Sequence, residues 1–131
     1  MTFIAAANAT ATQIAAVSNL FSQVGKVMVV EERLMGAGTA LASCGIAYVM
    51  RYVRAATEGG VELGFKADVS KEIVMQTLEG AVQLLRATGM HPEQAIDQVT
   101  TPGGLTIKGL NEMEHAGFTS AVIRGLKAST K

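Results

Sequence analysis

The sequence predicts a mainly α fold, a helical bundle entered through one short β-α-β unit. Three observations carry this. From Leu34 onward apolar residues recur at three-to-four spacing almost to the end of the chain, the period of helices with a buried stripe. Only two runs have strand character, Met1–Ala7 and Lys26–Val30, and they bracket a single helical pattern. Helix stop and start signals, among them Gly25, Gly89, His91-Pro92 and Gly117, fall at the ends of the periodic segments.

Taken in order, Asn8 or Thr10 can cap a helix on which Ile14, Val17, Leu20, Phe21 and Val24 share one face, and Gly25 ends it. Lys26-Val27-Met28-Val29-Val30 is the nearly continuous apolar run of a covered, parallel strand. A two-stranded sheet needs neighbours, so the expectation is that the chain begins inside the last part of an α/β domain. Residues 1–32 are read as the remnant of that domain and 33–131 as a helical domain. The segment from Leu34 to about Thr57 is apolar nearly all round, which predicts burial on several sides, with Gly59-Gly60 as its stop. Asp68 opens the next helix, whose stripe is Val74, Leu78, Ala81, Val82 and Leu85. There Gly80 would admit another helix, and Gly89 is the stop. His91-Pro92 is a cap with proline at the first helical position, beginning a short helix to Val99. A helix from Thr106 to about His115 follows. Gly117 breaks it, Thr119 caps the last helix, and Phe118 with Ile123 has the spacing of a hydrophobic staple.

Composition excludes several function classes. With 131 residues the chain is sized for one domain. Forty-nine per cent apolar residues against 17 per cent charged is apolar for so short a chain, and predicts a subunit or domain interface. Eleven basic residues balance eleven acidic ones without a basic cluster, which argues against nucleic acid and against an anionic membrane surface. Residues 1–25 carry no charge but lack a basic leading region and are broken by polar side chains, unlike a signal peptide. The 17 uncharged residues between Arg33 and Arg51 fall short of a membrane span, which takes about 20. A lone cysteine, Cys44, permits no internal disulfide and fits a reducing, cytoplasmic setting.

The stretch with most chemical content is Gln98-Val99-Thr100-Thr101-Pro102-Gly103-Gly104-Leu105-Thr106-Ile107. Pro102 and the paired glycines forbid a regular element, and Thr106 stands where a helix can be capped. This is a loop delivered to a helix start, where the first amides lack intrahelical partners and the dipole is positive. Two glycines let a ligand approach the backbone closely, and the Thr100, Thr101 and Thr106 hydroxyls offer hydrogen bonds. The reading is a site for a small carboxylate or phosphate. Elsewhere the chemistry is thin. His91 and His115 have no companions at metal-ligand spacing, so no metal is expected. Cys44 reads as a small hydrophobe, and Tyr48 and Tyr52 as packing on a helix. Glu31-Glu32-Arg33 follows a strand end, either a solvated helix start or the sheet edge where α/β folds hold ligands. No Gly-x-Gly-x-x-Gly follows a strand anywhere in the chain.

The run from His91 to Phe118, HPEQAIDQVTTPGGLTIKGLNEMEHAGF, resembles the signature region of pyrroline-5-carboxylate reductases, with their QVTSPGGTTI-type loop, apolar helix and GGF-like turn. The likeness extends upstream. Thr39–Val49 resembles TALSGSGPAYV, Glu58–Gly64 resembles DGGVKLGL, and Val30-Glu31-Glu32 resembles the VDE that enters the family's helical part. The resemblance implies a helical-bundle dimerisation domain, of the 6-phosphogluconate dehydrogenase C-terminal kind, forming a homodimer or a higher oligomer. It also implies NAD(P)H-dependent reduction of 1-pyrroline-5-carboxylate, a cyclic imino acid, to proline. By position it assigns Thr101, Gly104, Leu105, Thr106 and Glu32 to the substrate, with Thr106 beside the ring nitrogen as the catalytic group. Gln98, Cys44 and Gly45 fall to NADP or NAD, which is held mainly by a preceding Rossmann domain.

There are departures from the family's pattern. Thr101 stands for a serine, Ser43-Cys44-Gly45-Ile46 for GSGP, Ala95 for a larger aliphatic, and Gly36 and Gly38 for Asp and Val. With no dinucleotide fingerprint, the chain by itself is expected not to reduce the substrate. Two other readings stay open: a non-catalytic helical dimerisation module, and a related imine or hydroxyacid reductase domain.

Overall fold

A computed structural model of the chain describes residues 1–130. Two strands, β1 (Thr2–Ala5) and β2 (Val27–Val30), flank helix α1 (Ala11–Ser22). Glu32–Leu34 forms a 3₁₀ turn, and α2 (Met35–Thr39) runs through a π turn (Ala40–Cys44) into α3 (Gly45–Glu62). Then come α4 (Ala67–Thr88), α5 (Pro92–Gln98), α6 (Leu105–His115) and α7 (Phe118–Ala128). The fold is mainly α with one β-α-β unit, as the periodicity predicts. The chain divides into two compact units, one of Met1–Tyr48 with the residues from Ile123, the other Val49–Val122.

In the first unit β1 and β2 pair in parallel, Thr2 opposite Val27 and Ala5 opposite Val30, with α1 as the crossover. α1 starts at Thr10, whose hydroxyl accepts from the Gln13 amide (3.3 Å) while the Gln13 side chain accepts from the Thr10 amide (2.8 Å). This reciprocal cap satisfies the Thr10 and Gln13 amides. α2 lies on β1, where a Cβ on the buried Gly38 would meet the Phe3 ring at 3.2 Å. That close approach accounts for the glycine in place of the larger residue the family pattern carries. The Tyr48 hydroxyl bonds the Gly125 carbonyl (3.3 Å) and the Ser129 hydroxyl, tying the last helix to the start of α3.

In the second unit α4 is fixed to α3 by Ser70, which is 2% exposed and donates to the Thr57 carbonyl at 2.9 Å. A Cβ on Gly60 would collide with the Ser70 side chain. The pair Gly59-Gly60 is therefore not a stop. α3 continues through it to Glu62, because Gly60 removes the side chain that would hold α4 off, and the chain turns at Gly64 with φ of 104°. Gly80, where a close helix approach was expected, has nothing within 4 Å of its Cβ position. Gly89 ends α4 in the left-handed conformation (φ 65°), and His91 caps α5, its Nδ1 accepting from the Glu93 amide. The last helix begins at Phe118, directly after Gly117 (φ 81°). Thr119 therefore sits inside the helix and donates to Glu114 instead of capping, and Phe118 is not the preceding residue that a staple needs.

Neither unit has a core of large side chains. Among the described residues the one buried apolar side chain is Ala40, while Leu41, Ile46, Val49 and Met50 on the apolar segment are 53–64% exposed. Burial on several sides is thus not reached within one chain, and Met28 and Val29 of β2 are exposed as well. Among the described residues no helix is long and apolar enough to cross a membrane.

Candidate functional site

The corner between α5 and α6 is a turn. The Gly104 amide donates to the Thr101 carbonyl at 2.9 Å, with Pro102 and Gly103 as the central residues and Gly103 at φ of 71°. Proline followed by a left-handed glycine is the signature of a type II turn, so Gly103, one of the paired glycines singled out in the sequence, sets the backbone path. Gly104 is extended (φ −67°, ψ 173°) and serves as the N-cap of α6, with no side chain bonded to the helix start.

This corrects the expectation that Thr106 caps. The turn delivers the chain one step earlier, so Leu105, Thr106 and Ile107 are the first three helical residues, and their amides have no acceptor within the helix. Thr106 sits in the first turn, and its hydroxyl makes no hydrogen bond among the described residues. The Thr101 hydroxyl lies over the turn, 2.5 Å from where a Gly104 Cβ would stand, which shows how closely that face is packed and why glycine occupies it. The Thr100 hydroxyl is committed to the Ile96 carbonyl at 2.7 Å and is withdrawn from ligand binding.

Electrostatics favours an anion here over the starts of α1, α4 and α5. α1 is closed by its capping box, α4 has Asp68 in its first turn, and α5 has both the His91 cap and Glu93. α6 has no cap bond and no acidic residue in its first turn. Its positive end is therefore uncompensated by the protein. The corner is open, with Leu105 86% exposed. Two cavities of this unit are lined by α3 and α4 and include none of the corner's residues.

Gln98 ends α5 two residues before Thr100 and is exposed, in the same unit as the corner. Glu32, Cys44 and Gly45 belong to the other unit. Glu32 opens the 3₁₀ turn after β2 and is exposed, beside a Glu31 that is paired with Arg33 at 2.6 Å. Cys44, expected to be a buried hydrophobe, is a half-buried free thiol at the end of the π turn. Gly45 begins α3, its Cβ position 3.6 Å from the Ala40 carbonyl. Among the described residues no group of three His, Cys, Asp or Glu could hold a metal ion.

The β-α-β unit does not fit a dinucleotide phosphate. Its strand-to-helix loop, Ala6-Ala7-Asn8-Ala9, has no glycine, and the Thr10 and Gln13 amides are bonded to each other's side chains.

The family model for pyrroline-5-carboxylate reductase dimerisation matches residues 32–131. The chain belongs to this family. Its relatives include pyrroline-5-carboxylate reductase 1 of Dictyostelium discoideum, 49% identical over 111 residues that make up 85% of this chain and 20% of the relative. Pyrroline-5-carboxylate reductase 2 of Bacillus subtilis is 33% identical, covering 98% of this chain and 46% of its own length. Among solved structures, the 1-pyrroline-5-carboxylate reductase of Streptococcus pyogenes aligns with a TM-score of 0.89 at 30% identity, over 95% of this chain and 48% of that one. The pyrroline carboxylate reductase of Plasmodium falciparum, solved with NADP bound, aligns at 0.87 and 29% identity, over 95% and 47%. The chain thus spans less than half the length of the relatives it matches. The resemblance drawn from the Thr101–Thr106 loop and its flanks agrees with these matches in family and in extent.

Proposed function

We propose that the chain is the pairing and substrate-carboxylate part of a pyrroline-5-carboxylate reductase, with residues 33–131 as the helical domain and 1–32 as the end of a nucleotide-binding domain. The single observation that carries the reading is the start of α6, a glycine-lined corner with neither a side-chain cap nor a first-turn acid, where α1 has a cap, α4 an acid and α5 both.

The roles follow from the chemistry. The carboxylate of the cyclic imine sits on the amides of Leu105 and Thr106, where Gly104 permits contact with the backbone. Holding the negative end fixes the ring, and orientation of this kind is what a protein chiefly contributes to hydride transfer. The Thr106 hydroxyl is placed one residue into the helix, where it can donate to the ring nitrogen as charge changes there, and Thr101 lines the other side of the turn. The nicotinamide nucleotide supplies the hydride, and Gln98, Cys44, Gly45 and Glu32 are the residues of this chain assigned to the cofactor and substrate sides. A homodimer in a cytoplasmic, reducing setting completes the reading.

The test is a titration of the isotope-labelled chain with L-proline, the reaction's product. Amide resonances of Gly104, Leu105 and Thr106 should shift in a saturable way while those at the start of α1 stay fixed. A titration that leaves all three in place removes the substrate role. The second reading, a dimerisation module without catalysis, is favoured by the closed α1 start and the exposed apolar faces. It predicts self-association with no proline response.

A further inference from the structure

Leu105 is the most exposed large apolar side chain among the described residues, at 86%. It is the first residue of α6, directly after the Gly104 cap. Side chains on a helix lean back toward its N-terminus, so a first-turn residue covers the patch that lies over the turn before it. Here that turn is the Thr101–Gly104 corner, and Gly104 has no side chain to stand in the way. We propose that Leu105 is a specificity-determining residue, an apolar wall beside the α6 amides that selects a carboxylate carried on a plain hydrocarbon ring over one whose ring bears a hydroxyl. The inference rests on the carboxylate site proposed above and adds what the rest of the ligand must be.

A single exposed leucine is ordinary on any surface. What distinguishes this one is first its company. The polar residues of the corner are bracketed by two exposed apolar side chains, Leu105 on one flank and Val99, the last residue of the α5 end and 60% exposed, on the other. A small-ligand site combines a few polar groups that fix orientation with apolar lining that covers the remainder. The amides supply the first and Leu105 the second. A ring hydroxyl set against such lining gives up water without gaining a partner. Second, the fold of this unit gives no reason for a leucine there, because nothing in it covers the side chain and a leucine contributes nothing to capping. Third, the QVTSPGGTTI-type loop that this chain resembles has a threonine where Leu105 stands. The exchange removes a hydroxyl from the corner and puts a branched hydrocarbon in its place.

The test titrates the isotope-labelled whole chain with L-proline, trans-3-hydroxy-L-proline, trans-4-hydroxy-L-proline and acetate, read at the Gly104, Leu105 and Thr106 amides. Wild-type chain should bind proline about tenfold more tightly than at least one of the hydroxyprolines. Leu105→Thr should cut that preference to about twofold or less, since the wall then offers a hydroxyl partner. Acetate, which has the carboxylate and no ring, should bind both proteins alike. Leu63→Thr, at a leucine 84% exposed just after α3, should leave the preference as it is. At saturation with proline, a nuclear Overhauser effect should join the Leu105 methyl protons to the ring methylene protons. No preference in wild type, the same preference in Leu105→Thr, or no such effect overturns the role of the side chain while proline and acetate binding keeps the carboxylate site. Weaker acetate binding by Leu105→Thr would make the leucine a support of the backbone, which also overturns the role. Wild-type chain whose amides respond to neither proline nor acetate overturns the site and the role together.

Discussion

Two helix starts in this molecule face the same physical problem and solve it in opposite ways. At α1 the Gln13 amide is met from within by the Thr10 hydroxyl, and the Gln13 side chain answers the Thr10 amide. At α6 the cap residue is Gly104, which has no side chain to offer, and the first-turn amides are left to whatever approaches from outside. The first arrangement stabilises the fold and leaves fewer free donors for an anion. The second leaves the start of its helix less well satisfied, which is why it is the start proposed to hold a carboxylate without a basic residue. Both starts lie beside a loop of small residues, so glycine or alanine content alone does not separate a structural end from a binding end. The side chain at the cap does.

The contrast breaks most sharply at Gly104. A Gly104→Val side chain would overlap the Thr101 hydroxyl and its carbonyl, closing the approach to the amides. Calorimetry should show proline affinity lowered by about 100-fold, with the α1 start unaffected, since about 2.7 kcal/mol corresponds to that factor. Unchanged affinity would falsify the corner as the anion site.

Next in size is Gly103→Ala. Holding a β-carbon at φ of 71° costs roughly 1–2 kcal/mol. Thermal melting should register that loss together with weaker proline binding, because the turn that places Gly104 is strained. Thr10→Ala is the mirror experiment. Loss of the α1 cap should lower stability by about 1 kcal/mol in urea titration and leave proline affinity where it was. A drop in affinity equal to that of the Gly103 variant would mean that the two starts are not independent.

The finest distinction is at Thr106. Thr106→Ala should weaken binding by about 1 kcal/mol, the usual worth of one hydrogen bond, and Thr106→Ser should restore it. No recovery with serine would assign the threonine to packing by its methyl group.

Local punctuation was legible where one residue governs one backbone event. Thr10, Gly89 and His91-Pro92 act through bonds and angles within a few residues: Thr10 is one of the two caps the sequence offers, and Gly89 and His91-Pro92 stand where it places them. Gly59-Gly60 was not legible as helix interior, because the reason for glycine there is Ser70 of the next helix, ten residues beyond Gly60 and met only after the chain folds back. Thr106 and Thr119 were misplaced as caps for a related reason. A threonine near a helix start is a plausible cap until the preceding glycine, Gly103 or Gly117, turns the chain early and begins the helix ahead of it. The π turn at Ala40–Cys44 has no signature in apolar spacing, since small residues leave the helical phase undetermined.

By itself the sequence determined the order of elements, the mainly α class, the family likeness and the loop proposed as the site. Each depends on periodicity or on residues close along the chain, where the causes and effects are neighbours. Only the tertiary structure decided which glycines stop helices and which let helices meet, which hydroxyls are spent and which stay available, and that the apolar faces remain open in a single chain. Those outcomes depend on what arrives from far along the chain to occupy a given space, and that is settled by packing and not by local preference.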